Sequence, residues 1–113
     1  MEINEAKKNV DEYIMKYGGY WESLSMLARI TEEIGELARA MNIKYGGKKS
    51  KGDSDGREIE KELADVFFTV LAIANKENVD LEKVFMEKLG IYYERDVDTY
   101  GGGKDGGRDK EGV

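Results

Sequence analysis

The run Val66–Ala74, VFFTVLAIA, is apolar around nearly its whole circumference when wound as a helix. A helix of that kind has to be buried on several sides. It sits in a chain of 113 residues, the length of one domain with no room for a second independent core. Two stretches contribute little to that core. GGKKSKGDSDG, Gly46 to Gly56, is a loop by composition, and the tail after Asp96 holds six of the fourteen glycines. Setting both aside leaves about 85 residues. So small a core around so apolar a helix calls for a partner chain, and an oligomer is expected.

Periodicity predicts four helices and no strand. In the first, Ile3, Ala6, Val10, Tyr13, Ile14 and Tyr17 recur at helical spacing until Gly18-Gly19. The second spans about Trp21 to Lys44, with a stripe of Leu24, Leu27, Ile30, Ile34, Leu37 and Met41. The third spans about Arg57 to Asn78. The fourth follows Asp80, a natural N-cap with Lys83 three residues on, and carries Leu81, Val84, Phe85 and Leu89. The expected organisation is an all-α domain over 1–96 and a flexible glycine-rich tail over 97–113.

Composition then closes off chemistries. The chain has no cysteine and no histidine, which removes disulfides, thiolate metal sites, cysteine nucleophiles and the commonest general base. Any catalysis falls to carboxylates, lysines, arginines, hydroxyls and backbone. A net charge of -6 argues against a nucleic-acid platform. Five basic residues against two acidic ones between Lys44 and Arg57 form a local positive stretch, able to raise polyanion concentration or merely solvated. No apolar run reaches membrane-spanning length, and the first residues lack a secretory h-region. A cytoplasmic location, without membrane partners, is expected.

Two acidic clusters lie on the central helices: EEIGE (Glu32, Glu33, Glu36) and ELAD (Glu62, Asp65). Residues three apart share a helix face, so Glu33 pairs with Glu36 and Glu62 with Asp65, each pair bordering the apolar stripe. If the two helices pack antiparallel, the four carboxylates converge, which is unfavourable without a cation. All-oxygen ligation selects Mg²⁺ or Mn²⁺. The plainer alternative is a solvated lattice with Arg29, Arg39, Lys61 and Glu58. Gly35, costing about 1 kcal/mol relative to alanine within a helix, suggests close approach to the backbone, by a helix or by a ligand.

EExxE, then twenty-five residues, then ExxD resembles the signature of the MazG-type all-α nucleoside triphosphate pyrophosphohydrolases. That superfamily includes dimeric dUTPases, dCTP pyrophosphatases and phosphoribosyl-ATP pyrophosphohydrolases. The likeness runs from about Trp21 to Arg95. It implies a four-helix MazG-like bundle, a homodimer or homotetramer, and Mg²⁺-dependent hydrolysis of a nucleoside triphosphate to monophosphate and pyrophosphate. Residue by residue it implies Glu33, Glu36, Glu62 and Asp65 as metal ligands, with Glu32 either behind them or orienting the attacking water. Lys88 and Arg95 match phosphate-contacting positions, with surface pairing to Glu87 and Glu94 as the alternative. Tyr92 stands where the family often has asparagine, which opens base or sugar preference. Trp21 and Tyr20 fall where relatives place pocket residues, though a buried or interface aromatic also fits. Asn75 either offers an amide to the ligand or sits at an exposed helix end. The alternatives in function are a specialist for dUTP, dCTP or phosphoribosyl-ATP, and a catalytically silent helical oligomer.

Other motifs fail on their own terms. GGKKS lacks the spacing of a phosphate loop. Lys51 to Glu62 has a lysine where an EF-hand loop needs its first carboxylate. Di-iron bundles require histidines absent here.

Overall fold

The computed structural model describes residues 1–46 and 58–100, with side chains through residue 97. Its helices are α1 (Ile3–Lys16), α2 (Ser23–Tyr45), α3 (Glu58–Lys76) and α4 (Leu81–Tyr100), and no strand occurs among the described residues. Each expected helix is present to within about two residues at its start. The fourth continues past Asp96 to Tyr100. The basic loop beyond Gly46 and the glycine-rich tail beyond Tyr100 lie outside the described residues. None of the described helices is long and apolar enough to cross a membrane.

The chain divides into two units, Met1–Val79 and the segment beginning at Asp80. In the first, α3 packs against both α1 and α2, so its apolar circumference is covered from two sides. Both neighbours run antiparallel to it. Ser23 Oγ at the start of α2 donates to Glu77 Oε2 just beyond α3 at 2.5 Å, while mid-α2 Glu33 lies beside Glu62 and Asp65 early in α3. On the other side, Tyr13 meets Phe68 edge-on with ring centroids 5.9 Å apart. Nearer the start of α1, the Lys7 carbonyl accepts from Asn75 Nδ2 at 2.9 Å. Lys7 Nζ then donates to the Val79 carbonyl at 2.6 Å.

Helix α2 corrects the expected inward face. Of the expected stripe, Leu24, Leu27, Ile34 and Met41 are mostly solvent-facing, with Leu24 79% exposed, while Ile30 and Leu37 are half-buried. The buried positions are Met26, Glu33 and Ala40, spaced by seven, with half-buried Ile30 and Leu37 between them. This is a continuous three-four seam with one acidic residue in its middle. Glu33 therefore belongs to the buried seam rather than its border.

Among the described residues the buried apolar ones are Val10, Met26, Ala40, Leu71, Ala72 and Ala74, mostly small, while Leu63 and Phe67 are each 51% exposed. Two ends show why their residues were needed. Gly18, at φ 118°, lets Gly19 N–H return to the Ile14 carbonyl at 2.8 Å. Asn78, at φ 58°, lets Val79 N–H return to the Ala74 carbonyl at 2.9 Å. Both are left-handed helix stops that glycine and asparagine tolerate.

In the second unit, α4 begins as its sequence implies. Lys83 N–H donates to Asp80 Oδ1 at 3.2 Å, the expected N-cap bond.

Candidate metal centre

Three of the four expected ligands converge directly. Glu33 from α2 and Glu62 and Asp65 from α3 each present a carboxylate oxygen, all within 4.8 Å of one another. The two α3 residues share a face one turn apart, and the antiparallel register sets that face against the α2 seam. Glu36, one turn beyond Glu33, is more exposed and joins through Glu62, to which it contributes charge and a hydrogen bond. Glu32 is exposed on α2 and outside this group of three.

Asp65 is exposed, but burial makes Glu33 and Glu62 costly. Glu33 has a side chain only 7% exposed, and its Oε1 is buried without a hydrogen-bond partner among the described residues, as is Glu62 Oε1. Buried acceptors of this kind are rarely left unmatched. Desolvation by burial comes first in raising the Glu62 carboxyl above its ordinary value. The charges of Glu36, Asp65 and Glu33 add to it, as does the hydrogen bond that the protonated carboxyl donates to Glu36. A divalent cation relieves all of these effects together. The donor set, carboxylate oxygens with no nitrogen or sulfur, fits a hard ion.

One cation within the protein offsets part of the charge. Arg29 Nε donates to Glu33 Oε2 at 2.6 Å across one turn of α2, and its guanidinium lies 5.7 Å from the Trp21 ring centroid. The Arg29–Glu33 spacing is legible in the sequence as an i,i+4 pair. The Trp21 contact is not, because Trp21 precedes α2. Also unforeseen is buried Thr69, whose Oγ1 donates to the Asp65 carbonyl at 2.9 Å. A hydroxyl one turn beyond Asp65 was the available signal.

Among the described residues no heavy atom lies within 4 Å of where a Cβ on Gly35 would stand, so packing of the described helices does not explain it. Asn75 is half-buried at the α1–α3 contact, its amide donating to Lys7, instead of lying at an exposed helix end. Tyr20 OH donates to Asp11 Oδ1 at 2.5 Å. Burial first, then the Asp11 hydrogen bond, pushes the Tyr20 phenol up to about 12, against a lowering hydrogen bond from Asn75.

Within α4, Lys88 Nζ and the Arg95 guanidinium lie 5.5 and 5.2 Å from the Tyr92 ring centroid. On the same helix Glu87 pairs with Lys83 at 3.4 Å and Arg95 with Asp96 at 3.0 Å. Three expected substrate contacts thus form one cation–aromatic group.

Comparison with known proteins shows what the chain as a whole is similar to. The sequence pattern of the MazG nucleotide pyrophosphohydrolase domain matches residues 22–96. The protein YpjD of Bacillus subtilis is 36% identical over 99 residues, covering 87% of this chain and 89% of its own. The crystal structure of that protein superposes with a TM-score of 0.74 at 35% identity, covering 81% of this chain and 95% of the other. A Bacillus-conserved MazG protein, described as a nucleotide pyrophosphohydrolase, gives 0.70 at 39% identity, covering 81% and 90%.

Proposed function

Since the chain belongs to the MazG nucleotide pyrophosphohydrolase family, we propose that it hydrolyses nucleoside triphosphates to monophosphate and pyrophosphate with Mg²⁺, Mn²⁺ serving as a substitute. The observation that carries this reading is Glu33: a buried carboxylate with an unpartnered oxygen, facing two further carboxylates from α3. Glu33, Glu36, Glu62 and Asp65 would hold the ion. When bound, it supplies positive charge to the polyphosphate and electrophilic assistance to the reacting phosphoryl group.

The remaining work falls to the chain's own residues. Water forms a new P–O bond while the α–β phosphoanhydride breaks, and pyrophosphate carries off the bonding pair. Glu32, exposed and next to Glu33 in the sequence, is assigned to orient that water and accept its proton. Lys88 and Arg95 are assigned to phosphate oxygens, with Tyr92 between them. Trp21 is assigned to the base, stacking through its exposed ring. All five residues lie at or beside the family match.

The functional form is a homodimer or homotetramer. Its support is the second stripe of α2, where Leu24, Leu27, Ile34 and Met41 remain exposed in a single chain, an apolar patch that a second copy would cover.

Residue-level kinetics test the assignment. Glu36→Gln and Asp65→Asn should abolish Mg²⁺-dependent turnover while helical circular dichroism is unchanged. Near-normal activity in both refutes the ligand set.

A further inference from the structure

The two oxygens of Glu33 have different surroundings. Oε2 accepts from Arg29 Nε at 2.6 Å, whereas Oε1 is buried and unpartnered. Arg29 is itself held from the other side, with its guanidinium over the Trp21 ring. At 46% exposure, a long side chain at this place ordinarily samples many rotamers. Here a carboxylate and an indole face constrain it together, a use suited to the planar guanidinium.

We propose that Arg29 is a positioning residue for the metal centre: it holds Glu33 by Oε2 so that Oε1 is presented to the cation, and Trp21 holds Arg29. This inference rests on the metal-site reading above. Two effects of Arg29 on a bound cation have opposite signs. As a fixed positive charge beside a ligand, it weakens cation binding. As the partner that orients the ligand, it strengthens binding, because a Glu33 released among Glu62, Asp65 and Glu36 is repelled from the cluster it must enter. The orientation effect prevails here. Glu33 is almost wholly buried, so water cannot take over the role of Arg29. Partners that orient ligating groups ordinarily change metal affinity by about ten- to a hundredfold.

The sign of the change decides the matter, and it can be read without turnover. Mn²⁺ binding to the full chain, without nucleotide, is measured by the electron paramagnetic resonance of free Mn²⁺. Arg29→Met should weaken binding by about ten- to a hundredfold, and Trp21→Leu should weaken it by less. Arg29→Lys should recover part of the loss, since an ammonium can donate to Glu33 but cannot lie flat on the indole. Binding to Arg29→Met that is as tight as, or tighter than, the unaltered chain overturns the proposal. Should that variant lose its helical circular dichroism, Arg29→Lys decides, with unchanged or tighter binding again the contrary result. Failure of the unaltered chain to bind Mn²⁺ at all would instead refute the metal-site reading and, with it, this inference.

Discussion

The hydroxyl of Ser23, the first residue of α2, donates to the Glu77 carboxylate just beyond α3, 54 residues away in sequence. That contact marks the antiparallel register that sets Glu33 opposite Glu62 and Asp65. It is exposed at the helix ends, whereas Met26 and Ala40 are buried on either side of Glu33. The buried seam therefore fixes the register, and the hydrogen bond adds to it. Ser23→Ala should lower stability by about 1 kcal/mol in urea unfolding and leave Mn²⁺ affinity unchanged. A large loss of affinity would show that the register depends on the helix end.

Glu62 titrates above its ordinary value through burial and the neighbouring Glu36, Asp65 and Glu33. A carboxyl raised in the folded state retains its proton longer there than in the unfolded chain. Its contribution to stability is full below the unfolded value and is lost as pH rises through the folded one. Metal-free protein should therefore lose stability over that interval, and Glu62→Gln should flatten the loss. Saturating Mg²⁺ should reverse the slope, because the ion binds the deprotonated form. Thermal melts across pH, with and without Mg²⁺, check both signs.

Tyr20 provides a separate titration. Its phenol is pushed up to about 12 by burial and by Asp11, so its stabilising contribution is intact below about pH 10 and disappears towards pH 12. Of seven tyrosines, one should ionise last in an ultraviolet absorbance titration, and Tyr20→Phe should remove that step.

Gly35 stands inside α2 with open space where a side chain would project. Gly35→Ala should raise stability by about 1 kcal/mol in urea unfolding. A simultaneous fall in turnover would place the substrate against this turn of the helix. Unchanged turnover would leave only the helix-propensity effect.

The helices were legible because their spacing and their punctuation agree: Gly18-Gly19 and Asn78 stop helices, and Asp80 starts one. The acidic pairs were legible because three-residue spacing puts two carboxylates on one face. Which face of α2 turns inward was not. The stripe of Leu24, Leu27, Ile30, Ile34, Leu37 and Met41 is bulky, and bulk argues for burial, yet only Ile30 and Leu37 of it are half-buried. The observed seam of Met26, Glu33 and Ala40 contains a charge and a small residue, so it reads as weaker. It becomes coherent only when Glu62 and Asp65 stand opposite Glu33, and that pairing depends on a register no local pattern encodes. The same limit hid the stacking of Arg29 on Trp21 and the tie from Asn75 to Lys7.

The central claim is cleavage of the α–β phosphoanhydride by a carboxylate-held divalent ion. Phosphorus nuclear magnetic resonance of the unaltered chain incubated with Mg²⁺ and a nucleoside triphosphate tests it most directly. Monophosphate and pyrophosphate should appear, both abolished by a chelator. Diphosphate with inorganic phosphate, or no turnover across a panel of ribo- and deoxyribonucleotides, would contradict it.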